Sequence, residues 1–267
     1  MLLVGARLAY LQTSQHEWLS RRARVQQLDE EPLQAPRGLI LDRQGRELAR
    51  SIDVDSFYAD PREMEDVEAA SAALGRVLNM DPAGLAVRLK EAKSARRGFL
   101  WLARRVGDGQ ARAVKGLKLK GVYSTEEQRR RYPHGALASH VLGFVGLDAK
   151  GLAGVEQVYD AALTGEGGKL LLNADGKRKP FESEGLDARD GQTLVLTLDQ
   201  TVQHIVEREL AAALKSTQAK SAAAIVLEPH TGEVLALANA PSFDPNDAGG
   251  TTPEQRRNDA LQNIYEP

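Results

Sequence analysis

The sequence predicts an α+β fold, on three observations. Val202, Ile205, Val206, Glu209, Leu210, Ala213 and Leu214 recur at helical spacing through residues 201–215, with Asp199 placed as N-cap. Two apolar runs follow directly, Ala222–Glu228 and Glu233–Ala240, flanking the turn Pro229-His230-Thr231-Gly232. The first of these runs reads as a buried strand. A second hairpin lies near the other end, where Gly38–Asp42 and Arg46–Ala59 flank Arg43-Gln44-Gly45. A helix leading into an antiparallel hairpin argues against a wound parallel sheet.

The remaining elements follow in order. Met1–Gln12 is apolar apart from Arg7 and Gln12. Twelve helical residues span about 18 Å, against about 30 Å of hydrocarbon, so this stretch cannot cross a bilayer alone. It also lacks the layout of a signal peptide. Two readings stand: an amphipathic helix end, or the last turns of a membrane helix whose beginning is missing. Residues 13–35 are polar and charged and read as a stalk ending at Pro32 and Pro36. Asp66–Leu78 and Asp81–Ala92 read as helices. The first repeats Ala69, Ala73, Leu74, Val77 and Leu78, and the second opens on the cap Asp81 and Pro82.

Phe99–Val106 suggests a strand, Asp108–Leu117 a short helix, and Gly121–Arg131 a polar strand. Ala136–Leu142 and Val155–Leu163 read as helices. Gly167–Ala174 and Thr193–Thr197 read as strands around a Gly- and charge-rich region, 175–191. Gln262–Pro267 carries no cap or polar tail, so the chain reads as cut there.

Composition narrows the chemistry. With 35 Lys+Arg against 37 Asp+Glu, the formal charge of −2 removes the simplest argument for nucleic-acid binding. Having no Cys excludes disulfides, a thiol nucleophile and Cys-ligated metal. The five His residues form neither HExxH nor an i, i+4 pair, and no cofactor is implied. Gly165–Lys169 imitates a phosphate loop but fails it, because Leu163 stands where Gly is required and Leu170 where a hydroxyl is. Thr217-Gln218-Ala219-Lys220 has nucleophile-and-lysine spacing with Thr in place of Ser. Its position at a charged helix end favours a surface loop.

Several segments together resemble class B penicillin-binding proteins. Arg37-Gly38-Leu39-Ile40-Leu41-Asp42-Arg43-Gln44-Gly45 is similar to their RGxIxDRxG hairpin. Arg131-Tyr132-Pro133, His140–Gly146 and Gly151–Glu156, which includes Gly154, resemble the next signatures. Glu228–Ala236, including Thr231, Gly232 and Glu233, and then Asn239–Asn246 are similar to the first hairpin of the transpeptidase domain. Arg257-Asn258 and Tyr265-Glu266-Pro267 match the approach to the active site. Tyr58-Ala59-Asp60-Pro61 resembles the septal, cell-division subgroup.

Read physically, most of these residues are structural. Gly45 and Gly232 supply turns with positive φ. Asp42 is suited to accept from turn amides and to pair with Arg37 or Arg43. Glu156 sits at a helix start, favourably on its dipole. None reads as a nucleophile.

The resemblance implies four segments: a remnant anchor at 1–12, a stalk at 13–35, an elongated pedestal (dimerisation) domain at 36–190, and the start of a penicilloyl-serine transpeptidase domain at 191–267. It also implies a single-pass membrane protein facing the periplasm, with other division and cell-wall proteins as partners. Stem peptides and β-lactams are ligands of the full-length parent only. In the family, Tyr-Glu-Pro is followed by Gly-Ser-x-x-Lys, whose Ser is the nucleophile. No Ser-x-x-Lys, Ser-x-Asn or Lys-Thr-Gly occurs in these 267 residues. The expectation is therefore a piece of a transpeptidase that does not acylate by itself. The alternatives are a free-standing pedestal that binds division proteins, and an unrelated α+β protein.

Overall fold

The structure is a computed structural model that describes residues 28–33, 35–174, 180–186 and 188–263. The proposed anchor at 1–12 and most of the stalk lie outside the described residues. No helix among the described residues is long and apolar enough to cross a membrane.

The strands are β1 (Leu28–Leu33), β2 (Ile40–Leu41), β3 (Glu47–Ala59), β4 (Leu100–Ala103), β5 (Val122–Arg131), β6 (Gly168–Ala174), β7 (Pro180–Leu186), β8 (Leu194–Val195), β9 (Ala222–Leu227) and β10 (Val234–Ala240). The helices are α1 (Val67–Leu78), α2 (Pro82–Ser94), α3 (Asp108–Gly116), α4 (Ser139–Leu142), α5 (Gly154–Val158), α6 (Asp160–Leu163), α7 (Gln200–Thr217), α8 (Pro253–Arg256) and α9 (Asp259–Gln262). The mixture is α+β, as the sequence predicts. The described residues fall into two compact units, one holding those of 28–35 and 165–191, the other those of 36–164 and 192–263.

The first unit is an antiparallel sheet in the order β1-β6-β7. Two of its strands depart from the sequence reading. Residues 28–33, within the segment read as a stalk, form a strand, and the charged region 175–191 contains β7. The partner of β1 is distant in sequence, since Leu28 pairs with Asn173, and no local signal announces such pairing; β7 pairs with the neighbouring β6, Pro180 opposite Ala174, but its charged residues carry little apolar alternation. Pro32 and Pro180 are tolerated because both outer strands need only one hydrogen-bonded side.

The second unit is organised on β3. Its start pairs with β2, its end with β4, and Arg50–Ala59 pair antiparallel with Arg131–Val122 of β5. β2 also pairs in parallel with β8, Ile40 opposite Leu194. One apolar core gathers Phe57, Leu74, Leu85, Leu89 and Leu102 between the sheet and α1–α3. A second gathers Ile40, Leu48, Tyr132, Leu142, Leu163 and Leu198.

Local caps start the three longest helices. Asp66 accepts from Ala69 N, Asp81 from Ala83 N and Gly84 N, and Asp199 from Thr201 N and Val202 N. The buried stripe of α1 is Val67, Ala70, Ser71, Leu74, Gly75 and Leu78, so Ala69 is exposed, contrary to the predicted face. The stripe turns this way because α2 starts against Gly75, where a Cβ would lie 2.7 Å from Pro82 Cγ. The single helix expected over 155–163 is broken at Tyr159 into α5 and α6.

β9 and β10 pair antiparallel, Ala240 opposite Ala222. α7 grips β10 through the buried Gln203, whose Nε2 donates to Leu237 O and whose Oε1 accepts from Leu237 N, each at 2.8 Å. β10 is largely buried, but β9 alternates half-buried and exposed, with Ile225 and Leu227 at 48% and 54% exposure. The apolar run at 222–228 looks like a buried strand in sequence. Its outer face is uncovered among the described residues, and composition cannot say which face finds a neighbour.

Candidate functional site

Some of the residues singled out from the sequence fall in three polar clusters within the second unit. Deepest is an ion-pair cluster on Glu156, in the first turn of α5. Arg37 Nε donates to Glu156 Oε2 at 2.6 Å, and Arg130 Nε donates to Oε1 at 2.7 Å. The side chains of Arg37, Arg130 and Glu156 are 5%, 2% and 0% exposed. Arg37 also donates to Asp160 Oδ1 at 2.7 Å, Thr164 Oγ1 at 2.8 Å and Glu156 O at 2.7 Å. Arg130 Nη1 donates to Gly38 O at 2.7 Å, and Gly38 N donates to Leu163 O at 2.8 Å. Two cations thus meet two carboxylates, which is how charge survives burial. Burial pushes the Tyr132 phenol, which donates to Glu156, far above its ordinary value, and the Glu156 charge adds to this.

The second cluster surrounds Asp42, which is fully buried. Oδ1 accepts from Gln44 N and Arg46 N, each at 2.9 Å. Oδ2 accepts from Arg46 Nε at 2.8 Å and Gln200 N at 3.1 Å. The pairing predicted with Arg37 or Arg43 does not form. The turn at Gly45, with φ +80°, folds Arg46 back over Asp42, while Arg37 is committed to Glu156 and Arg43 to Glu233 at 3.3 Å. Arg46 also reaches Asp199 at 3.1 Å, fastening the first hairpin to the start of α7.

Burial alone raises the Asp42 carboxyl, but Arg46 and the amides of Arg46, Gln200 and Gln44 outweigh it, so the net shift is below the ordinary 3.8. A carboxylate lowered in the folded state stabilises above its unfolded value, and that contribution is lost as pH falls through the folded one. The urea midpoint is therefore expected to hold from pH 7 to 5 and fall below about pH 4. Asp42→Asn is expected to lower the midpoint at pH 7 and flatten that acid decline.

The third cluster ties residues 239–258 to the rest of this unit. Asn246 Oδ1 accepts from Tyr132 N and its Nδ2 donates to Tyr132 O, both at 3.0 Å. His140 Nε2 contacts Gln255 O at 2.9 Å, and Asn258 Oδ1 accepts from Asn239 Nδ2 at 2.9 Å. Burial holds the His140 imidazole below its ordinary value, with the Gln255 contact opposing. Asn246→Ala removes both bonds to Tyr132. It is expected to destabilise by roughly 1–3 kcal/mol, two ordinary hydrogen bonds, in urea unfolding, with faster amide exchange at Tyr132.

The other predicted residues are dispersed. Arg131 and Pro133 are exposed, and Gly232 turns at φ +77°. Thr231 Oγ1 accepts from Glu233 N at 3.3 Å. Gly154 has φ +58° and starts α5. Glu266 and Pro267 lie outside the described residues. Sequence reasoning missed Arg130, Arg46, Asp160 and Gln203. The only available hint was period two in β5, which turns Arg130 to the opposite face from Arg129 and Arg131.

No activated nucleophile is assembled among the described residues. Ser139 Oγ lies 3.5 Å from His140 Nδ1, too long for a working pair, and Thr217 Oγ1 donates to Ala213 O at 2.8 Å on a helix end. No group of three or more His, Asp and Glu suited to hold a metal ion occurs among the described residues.

Comparison with known proteins adds the following. A family model described as "Penicillin-binding Protein dimerisation domain" matches residues 32–196. A second, "Penicillin binding protein transpeptidase domain", matches residues 222–267. Peptidoglycan D,D-transpeptidase FtsI of Escherichia coli (strain K12) is 36% identical over 267 residues, covering 98% of this chain and 45% of the relative. Stage V sporulation protein D of Bacillus subtilis (strain 168) is 35% identical over 270 residues, covering 100% of this chain and 42% of the relative. A crystal structure of a peptidoglycan synthetase from Bifidobacterium adolescentis ATCC 15703 superposes with a TM-score of 0.53 at 27% identity, covering 81% of this chain and 44% of that one. The chain spans less than half the length of these relatives.

Proposed function

Because this chain belongs to the penicillin-binding protein family, we propose that it supplies the pedestal and the first transpeptidase elements of a septal peptidoglycan D,D-transpeptidase. In this reading, residues 36–190 form the pedestal and residues 191–267 open the transpeptidase domain. The parent protein is held at the cytoplasmic membrane by a single-pass anchor and works on its outer face with other division proteins. The observation that carries the proposal is the order of the motifs, which runs from Arg37 to Pro267 and coincides with two matching domain families in tandem. The polar clusters add a physical role. They hold α7 and the β9–β10 hairpin against the β2–β3 hairpin and the Tyr132 segment.

Acylation requires a Ser activated by a Lys three residues on, and these 267 residues contain no such pair. The recombinant chain is therefore expected to form no denaturation-resistant adduct with a fluorescent penicillin. Cells of the source organism supply the complementary measurement. After labelling with the same probe, the native polypeptide captured by an antibody against residues 36–190 is expected to carry covalent label. An unlabelled native polypeptide would instead support a free-standing pedestal that binds division proteins.

A further inference from the structure

We propose that an arginine-lined cleft beside β5 is a binding site for a polyvalent oxyanion, a phosphate or carboxylate group presented by a small molecule. The cleft has a volume of about 590 Å³, and Arg105, Arg129, Arg130 and Arg256 all line it.

Arg105, Arg129 and Arg256 are half-buried, yet among the described residues none has a carboxylate within ion-pair distance. Each has one contact to a backbone carbonyl. Arg105 Nη1 lies 3.5 Å from Gly146 O, Arg129 Nη1 donates to Arg105 O at 3.3 Å, and Arg256 Nη1 donates to Ala248 O at 2.9 Å. Among the described residues most of their N–H donors are therefore unspent, although the Arg256 guanidinium also lies over the Phe144 ring, 5.5 Å from its centroid. Arg130, 7% exposed, keeps its Nη2 buried without a partner, and so does Nε of Arg105. Buried guanidinium donors without partners are costly, and an anion nearby offsets that cost.

The nearby carboxylates do not neutralise the cleft. Glu127 is taken by Arg104 and Ser56, and Glu156 by Arg37 and Arg130. Asp247 lines the cleft but is exposed and pairs with none of these arginines, and Asp148 acts on Arg105 only from a distance. Burial holds the Arg105 guanidinium below its ordinary value; Glu127 opposes this, while Arg104 and Arg129 push the same way as burial.

The ligand chemistry follows from the donors. Planar guanidinium forks match the oxygens of phosphate and carboxylate groups, and several forks on one cleft favour an anion of more than one charge. Leu147 and Leu152, 67% and 49% exposed, add apolar surface to the lining. Position gives the site a consequence. Arg105 and Arg129 lie in the segment that matches the dimerisation family, and Arg256 in the segment that matches the transpeptidase family. One bound anion would bridge both.

The test is titration calorimetry of the full 267-residue chain with pyrophosphate and, separately, with citrate, each against sodium chloride of equal ionic strength. Saturable one-site binding of at least one anion is expected. Tighter binding of pyrophosphate assigns the site to phosphate ligands, and tighter binding of citrate to carboxylate ligands. The double variant Arg129→Gln/Arg256→Gln is expected to weaken binding at least tenfold, while Arg76→Gln on the exposed face of α1 leaves it unchanged. Hydrogen exchange of the wild-type chain keeps the test valid if the double variant does not fold. The anion is expected to slow exchange at 104–105, 129–132 and 245–256. Heats no larger than those of sodium chloride, binding indifferent to the double variant, or protection confined to other segments would each overturn the proposal.

Discussion

Glu156→Gln is expected to destabilise the chain by roughly 3–5 kcal/mol, the range for breaking a buried ion pair from one side. The amide keeps the shape and an acceptor but removes the charge that faces Arg37 at 2.6 Å and Arg130 at 2.7 Å. Both guanidinium groups then stay buried, with only Asp160 left as an ionic partner for Arg37. Urea unfolding at pH 7 measures the loss. Combining Glu156→Gln with Arg130→Met is expected to cost less than the sum of the two single changes, because the second removes a cation that the first has stranded. A strictly additive result would mean that Arg130 and Glu156 do not act as a unit.

The second large effect is expected at Gly154. Its φ of +58° is left-handed, and an added Cβ would lie 2.5 Å from Val141 O and 2.6 Å from Gly143 N. Gly143, at φ +74°, sits on the other side of the crossing, where its own Cβ would overlap the Ala153 carbonyl. Gly154→Ala therefore adds displaced backbone to left-handed strain, together roughly 2–5 kcal/mol. Gly45→Ala separates the two contributions. Gly45 has φ +80° but nothing within 4 Å of the added carbon. Strain alone, roughly 1–2 kcal/mol, is expected there. Similar urea midpoints for the two variants would show that the crossing relaxes.

What was legible in the sequence was mostly local. The caps Asp66, Asp81 and Asp199 sit beside the helices they start, so period and cap agree within a few residues. The turns at Gly45 and Gly232 announce themselves for the same reason. β1 did not, because its partner β6 lies about 140 residues further along the chain, and β7 did not, because its residues PFESEGL carry little apolar alternation although β6 is its neighbour in sequence. Glu156 and Arg37 could be singled out, yet not as partners of each other. Arg130 was hidden in a run of three arginines, of which only the middle one is buried. Asp42 was recognised as a turn acceptor, but its cation, Arg46, is chosen by the geometry of the turn rather than by proximity in a motif.

The closure of Asp42 also sets an order of events during synthesis. Its last donor, Gln200 N, lies 158 residues further along the chain. At 5–20 residues per second, roughly 8–30 s separate the emergence of the first hairpin from that of the residues that complete it. During that interval Ile40 lacks its parallel neighbour Leu194, and one edge of β2 is open to mispairing. The helices α1–α3 and their strands can collapse early on Phe57, Leu74 and Leu89, since those contacts are nearer in sequence. The Asp42 end of this unit matures late, so a holding chaperone has most to protect there.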